Sequence, residues 1–227
     1  MIGDPVALTI RRRIKRPSAA LLERFRGRPS GFVTDARNGG GCMDYAIKPL
    51  LPEMRFCGPA VTAFCAPMDI LAAMASLDFV KPGDVIVIGT AGNRTAATIG
   101  DLWLHGAKNK GVAAIVCDGM VRDAKGLLKV GLPVFARGVT PNSGFRNGPG
   151  EINTGVTCGG QFVNPGDIVV GDRDGVVVVP LAEAKQAAAA LKVVEQKEAE
   201  AEGQIARGEG RRFWNPEAFA GRLRYLD

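Results

Sequence analysis

Three side chains of this chain have the types and the spacing to do chemistry together: Asp101, Arg122 and Asp123. Twenty residues, mostly small, aliphatic or lysine, separate Asp101 from the Arg122–Asp123 pair. Two carboxylates offer hard oxygen ligands to a divalent cation such as Mg2+ or Mn2+, and a guanidinium offers a planar fork to a carboxylate. Gly100 adds main chain to the set. If a helix begins near it, the first-turn N–H groups of Asp101, Leu102 and Trp103 are free of intrahelical partners and form a natural carboxylate pocket. Spacing alone leaves a plainer reading open, with Asp101 as a helix cap and Arg122–Asp123 as a surface pair with a cap role at the next helix start.

The flanking segments must bring these residues together. "KPGDVIVIG" (81–89) reads as a turn feeding a β-branched strand, and "VAAIVCDG" (112–119) as a second buried strand closed by Asp118 and Gly119. Between them a helix is predicted over about residues 95–109. A strand–helix–strand order implies parallel neighbours, whose C-terminal loops lie side by side where ligands of such sheets collect. Further helices are read over 16–27 and 68–80, the latter with Asp69 near its start, and after Val121. Further strands are read over 56–67 and 132–138. Residues 164–180 read as a β-hairpin turning at Asp172–Gly175. The Gly/Pro/Asn-rich residues 139–160 read as a long loop, as does the glycine-rich stretch after Val33. From Leu181 the Ala/Glu/Lys-rich sequence predicts a long charged helix, and residues 215–227 a short final one.

Composition narrows the function classes. A net charge of +6 owes part of its excess to Arg11, Arg12, Arg13, Lys15 and Arg16, an arm read as solvated or subunit-contacting, because no nucleic-acid recognition module accompanies it. His105 is the single histidine, which rules out a histidine-rich zinc site. Five cysteines without a C-x-x-C pair, three of them (Cys57, Cys65, Cys117) in apolar stretches, fit reduced thiols in a cytoplasmic protein. No stretch is long and apolar enough for a membrane span, and the first residues lack the apolar run of a signal peptide. Lys48 and Lys81 sit beside prolines and read as exposed, not as Schiff-base lysines.

The segments "PGDVIVIGTAGNRTAATIGDLWLHGAKNKGVAAIVCDGMVRDAKGL", "LPVFARGVTP", "NGPGEIN" and "CGGQFVNPGDIVVGDRDGVVVVP", preceded by "MDYAIKPLLPEMRFCGPAVTA", follow one another in order. From about Phe32 to Pro180 the chain resembles the 4-hydroxy-4-methyl-2-oxoglutarate / 4-carboxy-4-hydroxy-2-oxoadipate aldolases, a family that also contains the regulator of ribonuclease E activity. The resemblance implies an α/β fold, an α/β/β/α swivelling-domain-like sandwich over residues 1–180, with a C-terminal helical extension over 181–227 at a subunit interface. It implies a homotrimer or homohexamer, a divalent metal (Mg2+ or Mn2+), and class II retro-aldol cleavage of a 4-hydroxy-2-oxo acid to pyruvate, with oxaloacetate decarboxylation as a side activity. Asp123 would be the direct metal ligand, Arg122 would bind the pyruvyl oxygens and stabilise the enolate, and Asp101 would hold a proton-moving water. Gly100, Leu102 and Trp103 would lie against the pyruvyl carboxylate, gripped by main-chain N–H groups.

The chain departs from the family pattern at Gly89, at Trp103 and at Asn142, Ser143 and Arg146. Arg94 and Arg146 are candidates for a distal carboxylate, and Glu195, Glu198, Glu200 and Glu202 for a contribution across a subunit boundary. The competing expectation from the same resemblance is a non-catalytic regulator that binds a ribonuclease or helicase.

Overall fold

The computed structural model of the protein describes residues 6–209 and 214–226. Its N-terminal part runs β1 (Leu8–Ile10), α1 (Ala19–Glu23), α2 (Ser30–Asp35), β2 (Lys48–Pro49), β3 (Phe56–Cys65) and α3 (Leu71–Ser76). The segment that carries the candidate chemistry follows as β4 (Val85–Gly89), α4 (Asp101–Asn109), β5 (Ala114–Cys117), β6 (Met120–Val121) and α5 (Ala124–Val130). Next come β7 (Val134–Ala136), β8 (Gly138–Val139), β9 (Gly150–Ile152), β10 (Val156–Cys158) and β11 (Gln161–Val163). The chain then forms β12 (Ile168–Asp172), β13 (Gly175–Val179), α6 (Ala184–Ala206) and a 3-10 turn over Pro216–Phe219.

The main sheet has the order β1-β9-β3-β4-β5-β7-β2, with β3, β4, β5 and β7 parallel. β3 belongs to two sheets. Its first residues, Phe56 to Pro59, pair antiparallel with β12, whereas Ala60 to Phe64 pair parallel with β4. β12 and β13 form the hairpin expected over 164–180, with Asp172 opposite Gly175 at the turn.

Alternation of side chains sorts these strands into layers. In β4, Val85 and Val87 enter one core and Ile86 and Ile88 another. In β5, Ala114 and Val116 share the first of these cores, and Ile115 and Cys117 the second. β13 repeats the pattern, with Val176 and Val178 facing the core between the sheets and Val177 and Val179 an outer core. Both faces of each sheet are therefore buried, which requires helices outside both. Leu104 of α4 and Leu127 of α5 cover the main sheet, and Val33 of α2 with Ala184, Ala187 and Leu191 of α6 cover the hairpin. The result is the α/β/β/α sandwich with a long C-terminal helix.

Several element boundaries differ from the sequence reading. Residues 95–100 are not helical. Their backbone is engaged in loop bonds, Ala97 N–H to Asn142 O at 2.9 Å and Thr98 N–H to Met120 O at 2.8 Å, and Gly100 is extended (φ −132°, ψ −175°). Helix α2 occupies residues read as the approach to a glycine loop. The stretch read as one loop over 139–160 contains β8, β9 and β10. β9 inserts between β1 and β3, pairing parallel with the first and antiparallel with the second. Part of the basic arm is structural, because Arg16 places Nε and a terminal nitrogen on the two oxygens of buried Asp84 at 2.8 and 2.7 Å.

Candidate active site

The cleft forms where two βα connections meet. One leaves β4 and reaches α4 through Gly100; the other leaves β5, passes through β6 and reaches α5 through Arg122 and Asp123. Arg122 N–H donates to Ile99 O at 3.0 Å, which fastens the two connections side by side. Gly100, Asp101, Leu102, Trp103, Arg122 and Asp123 all line one cavity of about 360 Å3.

Two glycines make the approach close. A Cβ on Gly100 would fall on the Asp123 carboxylate and crowd Arg122 Nε at 3.2 Å, and a Cβ on Gly126 would collide with the Asp101 carboxylate. Each acid thus lies against a bare backbone of the opposite connection.

Asp123 has φ 60° and ψ 42°, the left-handed region that a non-glycine residue seldom occupies. Its carbonyl accepts from Leu127 N–H at 2.9 Å and starts α5, but its carboxylate caps nothing. Instead Oδ2 lies 3.3 Å from Arg122 Nε, both side chains being 41% exposed. The plainer reading of Asp123 as a capping side chain therefore does not hold. Strain combined with an uncommitted carboxylate is a pattern found at functional sites.

Asp101 is the first residue of α4 and Gly100 its cap. Asp101 Oδ1 accepts from Leu102 N–H at 2.8 Å, so one of the first-turn main-chain donors expected to face a ligand is already engaged. The first intrahelical bond is Leu104 N–H to Gly100 O, which leaves the Trp103 N–H ahead of the helical ladder. The Trp103 ring packs against the core under α4, and its indole N–H is buried without a partner. The Leu102 side chain is exposed.

The far wall comes from Ser143, noted in sequence only as a departure from the family pattern, and from Arg146, one of the two candidates for a distal carboxylate. Ser143 and Arg146 line the same cavity, whereas Arg94 does not. The segment carrying Arg146 is held by Asp69, a buried carboxylate that accepts from Leu71 N–H at 2.8 Å, Asn147 N–H at 2.7 Å and Gly148 N–H at 2.9 Å. Paired main-chain bonds between Phe145 and residues Met68 and Ile70 add to the clamp. In sequence Asp69 showed itself only as an acid near a helix start; its second role needs the two distant segments to meet.

His105 is exposed on α4 and takes no part in the cavity. Glu195 pairs with Arg28 on the α6 side of the molecule. Among the described residues no group of three or more His, Cys, Asp or Glu gathers as a metal cage. The donor set that is present suits a hard divalent cation of the Mg2+ type, which takes one or two carboxylates and fills its other positions with water and substrate oxygens. Burial pushes the thiols of Cys57, Cys65 and Cys117 up to about 12, and Cys158 well above the usual thiol range, so none of the four is a ready nucleophile.

Residues 32–178 match the family model for RraA-like proteins, described as Aldolase/RraA. A relative from Halalkalibacterium halodurans, bearing the name "Putative 4-hydroxy-4-methyl-2-oxoglutarate aldolase", is 40% identical over 70% of this chain and 76% of its own length. Among solved structures, RraAS2 of Streptomyces coelicolor, described as an unusual member of the RNase ES inhibitor RraA family, superposes with a TM-score of 0.76 at 29% identity, over 83% of this chain and 100% of that one. An uncharacterized protein from Pseudomonas syringae pv. tomato superposes with the same TM-score of 0.76 at 25% identity, over 87% of this chain and 97% of that one.

Proposed function

The chain belongs to the RraA-like Aldolase/RraA family, and from that membership we propose that it is a divalent-metal-dependent aldolase that cleaves a 4-hydroxy-2-oxo di- or tricarboxylic acid to pyruvate and a second oxo acid. The observation that carries this reading is the Asp123 carboxylate, which caps no helix and pairs with the Arg122 guanidinium, in one cavity with Asp101. The aldolase name of the relative from Halalkalibacterium halodurans supports it.

Asp123 would hold the metal directly and Asp101 through water; when bound, such a cation supplies Lewis-acid polarisation of the 2-oxo group. Arg122 directs its fork at the pyruvyl oxygens, where negative charge grows as the C3–C4 bond breaks. The Trp103 N–H at the start of α4 would receive the pyruvyl carboxylate. Asp101, acting through a water, takes the proton of the 4-hydroxyl as that carbon becomes a carbonyl. The electron pair of the broken bond moves onto the pyruvyl half as its enolate, and protonation at C3 yields pyruvate. Oxaloacetate decarboxylation passes through the same enolate and follows as a side activity. Arg146, which lines the same cavity, would receive a second carboxylate, which favours a dicarboxylic over a monocarboxylic substrate.

Apolar surface lies at and beside the cleft, with Leu102 of its lining 84% exposed and Phe145, next to Arg146 in the chain, 62% exposed. Surface of this kind favours a homo-oligomer, a trimer or hexamer, in which a neighbouring copy covers the cleft. The α6 glutamates lie away from the cleft of their own chain and would reach one only across a subunit boundary. Cysteines that are all free favour the cytoplasm.

A pyruvate-coupled assay with 4-hydroxy-4-methyl-2-oxoglutarate, run with Mg2+ or Mn2+ and with excess chelator, tests the reading. Turnover should require the metal and vanish in Asp123→Ala; full turnover in chelator would refute it. The likeness to RraAS2 supports a second reading as a regulator of a ribonuclease. Capture of a ribonuclease by a protein without turnover on any 2-oxo acid would favour that reading.

A further inference from the structure

A second cavity, of about 580 Å3, opens on the other side of the β4–α4 connection and shares no lining residue with the cleft. Its walls include Phe64, Asp118, Arg137, Glu151 and Phe162. Phe64 and Glu151 are direct cross-strand partners on β3 and β9, so their side chains stand on the same face. Asp118 follows β5 and is only 5% exposed. Its Oδ1 accepts from Thr90 N–H at 2.7 Å and from the Thr90 hydroxyl at 2.9 Å. Among the described residues, no hydrogen bond falls on Oδ2 and no cation pairs with this carboxylate.

Although the residue is deeply placed, Oδ2 is not sealed off from solvent; it opens onto the cavity, where a ligand can reach it. The cation beside it is already committed. Arg137 gives Nε–H to the Asp118 main-chain oxygen at 2.7 Å and a terminal N–H to the Asp44 carboxylate at 2.9 Å. That contact holds the Asp44 carboxyl below its ordinary range, consistent with an occupied guanidinium. Glu151 has no ion-pair partner among the described residues either. The cavity therefore presents two carboxylates without an ion-pair partner among the described residues, beside an Arg137 guanidinium engaged by Asp44 and next to two phenyl rings, one of which, Phe162, is 61% exposed.

We propose that this cavity binds a small organic ammonium ion, whose N–H groups go to the free oxygen of Asp118 and to Glu151 and whose body lies against Phe64 and Phe162. Carboxylates supply the charge, and the ring faces add the cation–π attraction that a neutral ligand lacks. At about 580 Å3 the cavity has room for more than a single ring, so a small aromatic ammonium probes it as a fragment. The site is independent of the aldolase reading, because none of its residues belongs to the cleft.

Isothermal titration with benzylammonium at neutral pH, against benzyl alcohol as the uncharged counterpart, tests it. Saturable binding of the ammonium only is expected. It should weaken at least about tenfold in Asp118→Asn, in Glu151→Gln and in Phe162→Ala, and persist in Asp123→Asn, which alters the cleft alone. Should Asp118→Asn fail to fold, the other two variants decide, since both residues are accessible to solvent. Absence of saturable binding, equal binding of the alcohol, or indifference to the variants would overturn the proposal. So would loss of binding in Asp118→Asn together with a changed oligomeric mass by light scattering, which would assign the cavity to a contact between copies of the chain.

Discussion

At Asp123 the backbone and the side chain have separable jobs. The backbone adopts φ 60° to begin α5, and the carboxylate faces the cleft without capping the helix. An L-residue in the left-handed region costs on the order of 1 kcal/mol, a strain that glycine relieves. Asp123→Gly should therefore match the parent protein in urea unfolding, or exceed it by up to about 1 kcal/mol, while losing pyruvate release. A clear loss of stability would mean that the carboxylate contributes to folding, against the uncommitted role assigned here. Gly100 makes the complementary case, because a methyl group there falls on the Asp123 carboxylate and Arg122. Gly100→Ala should leave the fold intact and lower kcat/KM by roughly a hundredfold, since displacements of this size disrupt alignment at a reacting centre. The types of Asp101, Arg122 and Asp123 were legible in the sequence. The engagement of Leu102 N–H by Asp101 was not, because it depends on which rotamer the first turn of α4 favours.

The elements that carry the site were mostly readable from periodicity, and their misread edges share one cause. Residues 95–100 read in sequence as part of the helix, yet the N–H groups of Ala97 and Thr98 pair with Asn142 and Met120, partners remote in sequence. The same applies to β9 within the segment read as loop, whose three residues become a strand by fitting between β1 and β3. Local propensity is a weak prior when a distant backbone offers hydrogen bonds. Asp69 shows how such a partner shapes function, since its carboxylate joins the start of α3 to the segment bearing Arg146. Asp69→Ala would leave buried N–H groups without an acceptor and should cost about 3 kcal/mol in urea or thermal unfolding. If Arg146 binds the distal carboxylate, KM for a dicarboxylic substrate should rise more than kcat falls, and Asp69→Asn should restore part of both. An unchanged KM would detach this clamp from substrate binding.

On the scale of the whole molecule, burial divides the cysteines into two classes. Cys57, Cys65, Cys117 and Cys158 lie inside the sandwich with raised thiol pKa values, while Cys42 is exposed. A thiolate, not a thiol, reacts with alkylating agents. Native protein treated with iodoacetamide at mildly alkaline pH should carry one adduct, at Cys42, and five after unfolding; the intact mass and a peptide map read both. Two or more adducts on the native protein would show that the sandwich opens far more readily than its packing implies.

By itself the sequence determined the strand alternation, the order of the main β and α segments and the spacing of the acids and guanidinium, while the layered arrangement entered only through the family resemblance. Those properties are local, because periodicity decides which face of each segment is apolar before any partner is met. Only the tertiary structure decided that two loops meet with bare glycine backbone at Gly100 and Gly126, that Arg146 shares their cavity while Arg94 does not, and that Asp118 is left with an unclaimed oxygen in a cavity of its own. Such facts depend on distances between residues far apart in the chain, which no residue type encodes alone.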